Sequence, residues 1–402
     1  MPRHARRRAR PTWRRAVALC TTALVGAVAG GTAAVYAELQ SGIERIDVAD
    51  LVVPATPGVT PPPADLSAGQ PLTVLLIGSD SRHGENAGLV GDGIESVLSD
   101  TTIVANISAG RDRVDLVSIP RDSMVDIPEC RTTGGDVLPA RHGMYNSAFA
   151  SGWDAGGDRA SAIACTLSTT QHTTGLTFDG YVLVEFTGFT AVVDAVGGVP
   201  ICIPEDISSP KADLYLTAGQ QVLDGPTATA YARARTGDGL GDGSDTMRIV
   251  SQQQLMSALA SHVLSRNLLT DTAELYQFAT AATRTLTTSP ELGSVPYLTG
   301  LAFSLRNISA GAITFMTTPS VPHPDDPNRI TWTDEAEEVW ARIAQDLPVV
   351  EAPSTPPGDA PTGDAPTGSG DASTAPGQAP PVEAPSDDGG PLTAADAPVT
   401  CA

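Results

Sequence analysis

The chain has 402 residues, enough to bury the core of one large or two ordinary domains, and carries a formal charge of −22 at pH 7. That acidity argues against nucleic acid as a partner, because a phosphate backbone is gripped by a basic surface. Five cysteines without a Cys-x-x-Cys pair or a Cys/His cluster argue against zinc.

Residues 1–15 hold seven arginines and no acid. From Ala16 to Ala37 there follow 22 uncharged residues, AVALCTTALVGAVAGGTAAVYA, long enough to cross about 30 Å of hydrocarbon as a helix. The arginines before it stay cytoplasmic under the positive-inside bias, which places everything after Glu38 outside the cell membrane. The rival is a cleaved signal peptide ending at Val35-Tyr36-Ala37; either reading exports the body. Residues 38–71 form a Pro-rich spacer.

A folded domain is expected over 72–350. LTVLLIGSD is an unbroken apolar strand, with TTIVANIS and RVDLVSIP as the second and third. Asn146 to Thr174 has helical character, with Gly152, Gly156 and Gly157 breaking its first part. YVLVEFTGFTAVVDAVGGVPICIP reads as a strand, a short helix with Gly197 past its end, and another strand. An amphipathic helix fits Thr246 to Leu264, two more helices fit between Asp271 and Leu305, and a strand, AITFMTTP, precedes a helix opened by Thr333 and Asp334. Alternating strands and helices imply an α/β fold, a layered α-β-α domain around a central mixed sheet. Residues 351–402, with eight acids and no Lys or Arg, read as a disordered tail.

Phosphate-loop, nucleophile-elbow, HExxH and dinucleotide signatures are all missing. The stretch GDGLGDGSD at 237–245 lacks the order and closing Glu of a calcium loop and reads as a mobile loop. What recurs is arginine near aspartate at element ends. Asp80 and Arg82 follow the first strand, Asp100 opens the second, and Arg121 and Asp122 follow the third. Arg233 and Arg235 sit two apart in an extended segment and share one face, ahead of Asp245, Arg248 and Gln252. Taken singly these are a solvated edge, a turn residue or a first-turn acid complementing a helix dipole. Taken together at the strand ends of one α/β domain, converging guanidiniums suit a pyrophosphate, held by forked hydrogen bonds. Two carboxylates among them suit a hard cation on phosphate oxygens.

GSDSR, LSDTT, SIPRDSMVDIP, NSAFA, FTGFTAVVDAVGGV, LDGPTATAYARAR and SDTMRIVSQQQ occur in the order and spacing of the LytR–CpsA–Psr family of wall-polymer ligases, which the chain resembles over about residues 72–265 and more loosely to 350. The resemblance implies one membrane helix, an extracytoplasmic catalytic domain, and a Mg²⁺-dependent phosphotransferase. Such an enzyme moves a glycopolymer from a polyprenyl-pyrophosphate carrier to N-acetylmuramic acid of peptidoglycan. It implies Asp80 and Asp100 as metal ligands and Arg121, Arg233, Arg235, Arg248 and Gln252 around the pyrophosphate. Arg121, Asp245 and Arg248 would be catalytic and Asp122 a support for Arg121. Two positions depart from the common family form: Leu98 and Ser251 stand where arginine is usual, and Arg82 could substitute for the first. The resemblance also implies a Cys130–Cys165 disulfide, leaving Cys202 free. A non-catalytic envelope regulator or adhesin, and a pyrophosphate hydrolase using water, are the alternatives that the same residues would serve.

Overall fold

The computed structural model describes residues 44–48, 69–79, 99–241, 243, 245–265, 286–294, 307–350 and 390–397, with the single positions 37, 51, 297–298, 301, 304–305 and 401. The apolar stretch Ala16–Ala37, save Ala37, and Asp80, Arg82 and Leu98 lie outside them. Among the described residues no helix is long and apolar enough to cross a membrane.

Strand β2 (Leu72–Ser79) alternates apolar residues between two faces, and both faces are covered. It lies inside an eight-stranded sheet with β1 (Glu44–Arg45), β3 (Ser99–Ile107), β4 (Val114–Ile119), β5 (Gly180–Glu185), β6 (Leu286–Thr288), β7 (Ile313–Thr317) and β8 (Leu392–Thr393), in the order β1-β6-β5-β2-β3-β4-β7-β8. The sheet is mixed: β2 runs parallel to β5 and β4 to β7, whereas β3 is antiparallel to both its neighbours. On one face Leu75, Ile77, Val104, Val117 and Leu183 pack under helices α1 (Ser147–Gly156), α2 (Arg159–Thr174) and α6 (Asp334–Ala344). On the other, Leu72, Val74 and Ala105 meet Leu292. A satellite core forms between α3 (Phe186–Ala195), α4 (Gly225–Arg233), α5 (Asp245–Ser265) and two hairpins, Val199–Ile203 with Gly219–Leu223 and Ile207–Ser209 with Leu214–Leu216.

Helix α2 is buried along most of its length although it is rich in threonine. The hydroxyls of Thr166, Thr169, Thr170 and Thr174 donate to the carbonyls four residues earlier at 2.6–2.9 Å, which satisfies them inside the core. Asp158 caps this helix by accepting from the Ser161 amide at 2.8 Å.

Several expectations are corrected. Helix α1 runs through Gly152 and Gly156 and ends at Gly157, whose φ is 71°. A Cβ on Gly152 would lie 2.5 Å from the Ser161 carbonyl oxygen, so this glycine permits α1 and α2 to touch rather than breaking a helix. The start of the Gly-rich stretch is docked, not loose. Asp238 exchanges backbone hydrogen bonds with Ser208 at 3.0 and 3.1 Å, and a Cβ on Gly237 would meet the Ser208 carbonyl at 2.2 Å. Part of the Pro-rich spacer belongs to the domain: β1 pairs with β6, and Val48 is buried in the main core. A sheet strand, β6, stands where only helices were expected; residues 266–285 lie outside the described ones. The tail returns as β8, antiparallel to β7, and Cys401 bonds to Cys202, which is therefore not free. Cys130 and Cys165 are joined as the resemblance implied.

Candidate active site

The cleft forms where β2, β4 and β5 end and β3 begins, the edge at which α/β sheets hold ligands. Pairing between β2 and β3 slips there: Gly78 faces Thr101 and Ser79 faces Ser99, so Asp100 is an extra, bulged residue. Bulges re-aim side chains beside sites, and this one presents Asp100 to the cleft. Gly78 stays small because a Cβ would sit 3.1 Å from Cβ of Thr101.

Arg121 is mounted on the turn after β4. The Arg121 carbonyl accepts from the Asn146 amide at 3.2 Å and the Asp122 carbonyl from the Ile330 amide at 3.3 Å. Its Nη1 donates to Oδ1 of Asp100 at 2.6 Å, while Nε lies 3.6 Å from Oδ2 of Asp122. Asp122 in turn has Arg329 Nη1 at 3.5 Å, so it stands between two guanidiniums as a support. Arg248, on the first turn of α5, is 4% exposed. It donates from Nη2 to the Asp100 carbonyl at 3.1 Å, with Nη1 3.8 Å from the same carboxylate. The N-terminal end of α5 thus meets the cleft, and its dipole adds positive potential there.

Arg233 and Arg235 line the same cleft. Arg233 does not sit in an extended segment, as expected, but ends α4, its guanidinium 4.9 Å from the centre of the Phe186 ring. Among the described residues neither arginine forms an ion pair. Gln252 accepts from the Thr101 hydroxyl at 3.2 Å and donates to the Ala232 carbonyl at 2.9 Å, tying α5 to β3 and to the end of α4. The cleft has a volume of about 380 Å³. Arg121 and Arg248 gathered on Asp100, together with Arg233 and Arg235, which form no ion pair among the described residues, make an anion receptor.

A model of the LytR_cpsA_psr family matches residues 53–342. The chain belongs to that family. It is 30% identical over 265 residues to cell wall biosynthesis protein LcpA of Corynebacterium glutamicum, covering 61% of this chain and 49% of that protein. It is 29% identical over 196 residues to the polyisoprenyl-teichoic acid–peptidoglycan teichoic acid transferase TagU of Halalkalibacterium halodurans, covering 48% and 54%. The chain therefore spans about half the length of these curated relatives. In fold it resembles the LytR-Csp2A-Psr enzyme from Actinomyces oris, with a TM-score of 0.51 at 20% identity over 75% of this chain and 96% of that one.

Of the residues that the family resemblance singled out, Asp100, Arg121, Arg233, Arg235, Arg248 and Gln252 line one cleft. Asp80 and Arg82 are outside the described residues, and Asp245 opens α5 with its side chain undescribed. At the family's departing position, the Ser251 hydroxyl turns back to the Met247 carbonyl at 3.2 Å. Burial pushes the Tyr231 phenol up, and the Ser251 hydroxyl partly offsets that. Thr101, Phe186, Ser209 and Lys211 also line the cleft and were not singled out from sequence. Phe186 follows a strand end, the same signal that marked Arg121; Lys211 had only its rarity to mark it.

Proposed function

We propose that this chain is an extracytoplasmic phosphotransferase that moves a glycopolymer from a polyprenyl-pyrophosphate carrier to peptidoglycan. The carrying observation is the convergence of four arginines and Asp100 on one strand-end cleft. Family membership and the transferase name of TagU support the reading. Two disulfides support an exported body, anchored through Ala16–Ala37 with its N-terminus cytoplasmic.

In this reading Arg233 and Arg235 bind the pyrophosphate, while Arg121 and Arg248, fixed by Asp100, face the phosphorus under attack. The acceptor hydroxyl forms the new P–O bond while the P–O–P bond breaks, and its proton passes to the departing polyprenyl phosphate or to water. Catalysis is positioning plus charge stabilisation, with no covalent enzyme intermediate required. Mg²⁺ fits the donor set: Asp100 offers a hard carboxylate in the cleft, Asp80 is the second candidate, and this ion commonly takes one or two carboxylates plus phosphate oxygens. When bound it would neutralise charge developing on the phosphate oxygens.

Arg121→Ala tests the proposal. Transfer of a lipid-linked polymer by the full chain should fall by about 10²–10³-fold, the scale for removing one pre-organised donor. The unfolding curve should stay close to the parent's. Unchanged transfer would refute the assignment.

A further inference from the structure

Lys211 is the single lysine among 24 Lys and Arg residues. It sits on a short 3-10 turn, Pro210–Ala212, and lines the cleft beside Ser209 and Ala212. The turn is held from both sides. Ser209 is buried and donates to the Thr236 carbonyl at 2.6 Å, while Asp213 closes the turn in the left-handed region with φ 51°. The Ser208–Asp238 backbone pair and the close approach of Gly237 lock it to the segment bearing Arg235. The ammonium is exposed, and among the described residues it forms no ion pair. Nearby Asp206 is turned to the Ala218 amide at 2.7 Å.

A firmly seated turn thus carries a flexible cation, without an ion-pair partner among the described residues, at the rim of a cleft whose interior is furnished with arginines. The two cation types do different work. Forked guanidiniums match a phosphate at a fixed place, whereas an ammonium on a four-carbon stem is a movable point charge. Resting on the transferase reading, we propose that Lys211 is a specificity-determining residue. It recognises an anionic substituent, a phosphate or a uronate carboxylate, on the sugars next to the pyrophosphate, and so favours anionic over neutral glycopolymers.

Three synthetic donors test this: a polyprenyl-pyrophosphoryl disaccharide that is unsubstituted, one with a uronic acid, and one phosphorylated on the second sugar. Transfer and binding are read with the full chain in nanodiscs for the parent, Lys211→Met and Lys211→Arg. Lys211→Met should lower kcat/KM and affinity for the anionic donors by about tenfold, the worth of one charge-assisted hydrogen bond. It should leave the neutral donor within about twofold, and Lys211→Arg should keep most of the preference. Which anionic donor loses more identifies the group that is read. Because Lys211 is the only lysine, acylation by an amine-reactive reagent followed by mass spectrometry reports its occupancy directly, and anionic donors should protect it. Equal loss on all three donors would place Lys211 in the pyrophosphate grip, and loss on none would leave it a solvated side chain; either overturns the inference alone. Protection by anionic vesicles without donor would assign the lysine to the membrane surface and overturn it too. A parent protein that neither binds nor turns over any donor would overturn the transferase reading and this inference together.

Discussion

At the scale of single residues, the cleft depends on a carboxylate with two duties. Asp100 orients Arg121 and Arg248, and in the proposed function it also holds Mg²⁺. Asp100→Asn separates these duties, since the amide oxygen still accepts from Arg121 while the charge is gone. Half-maximal transfer should then need on the order of tenfold more Mg²⁺, as expected when a ligand sphere is weakened. The melting temperature should fall as well, because Arg121 and Arg248 keep largely buried charges that lose their carboxylate. A Mg²⁺ titration of transfer decides: unchanged dependence would confine Asp100 to orienting arginines. In sequence, Asp100 was visible as an acid before a strand, but its bulge was not, because register depends on the partner strand. Arg121 was the easier residue, since an apolar run ending in Pro-Arg-Asp exposes its own strand end. Lys211 was illegible, because the 3-10 turn that brings it to the rim is set by tertiary contacts at Thr236 and Asp238.

At the scale of elements, α4 shows how local chemistry delivers a functional side chain. Asp224 caps it by accepting from the Thr227 amide at 2.9 Å, Pro226 fits its first turn, and Gly225 is pinned by Asp194 at 2.7 Å. Nine residues later it releases Arg233 into the cleft. The Thr227 hydroxyl and amide hold the Asp224 carboxyl below its usual range. A depressed folded pKa gives stability that is complete above the unfolded value, about 3.9, and is lost as pH falls through the folded one. Asp224→Ala should therefore cost about 1 kcal/mol at pH 7, and the gap to the parent should narrow below about pH 4. Urea unfolding at pH 7 and pH 3 checks this, and a gap that persists at pH 3 would contradict it. Periodicity in sequence revealed α5, α6 and the strands β2 to β5 and β7, whose apolar patterns are long. It missed α4 because nine residues with one cap are brief, and it missed β6 because a three-residue strand takes its identity from its neighbours. Threonine-rich α2 was seen as helical, but its near-complete burial depends on hydroxyls bonding backward, which no apolar stripe announces.

At the scale of the molecule, the two ends of the described chain close the sheet. β1 lies at one edge and β8 at the other, so segments that composition set apart as spacer and tail flank the domain between them. The C-terminal return also braces the site. The Ser257 hydroxyl of α5 donates to the Thr393 carbonyl at 3.1 Å, and Ala394 is buried with Ile313 and Phe315 against Met256 and Ala260 of the same helix. Beyond it, Cys401 is bonded to Cys202 on the Val199–Ile203 strand beside the satellite core, 199 residues away in sequence. Helix α5 carries Gln252 and Arg248 about one and two turns before these contacts, so loosening the return should disturb the cleft indirectly. Such long-range closure is invisible in sequence, where an odd cysteine in an acidic tail resembles a leftover. A bridge closing so long a loop contributes typically about 2–4 kcal/mol by restricting the unfolded chain. Cys401→Ser should lower stability by about that amount. It should also reduce transfer, while leaving the Cys130–Cys165 bridge intact by mass mapping. Deleting residues 390–402 should do more, since it also removes β8 and the Ala394 contact. If Cys401→Ser and the deletion both unfolded at the parent's midpoint, the C-terminal segment would be an ornament on the sheet edge rather than a brace for the site.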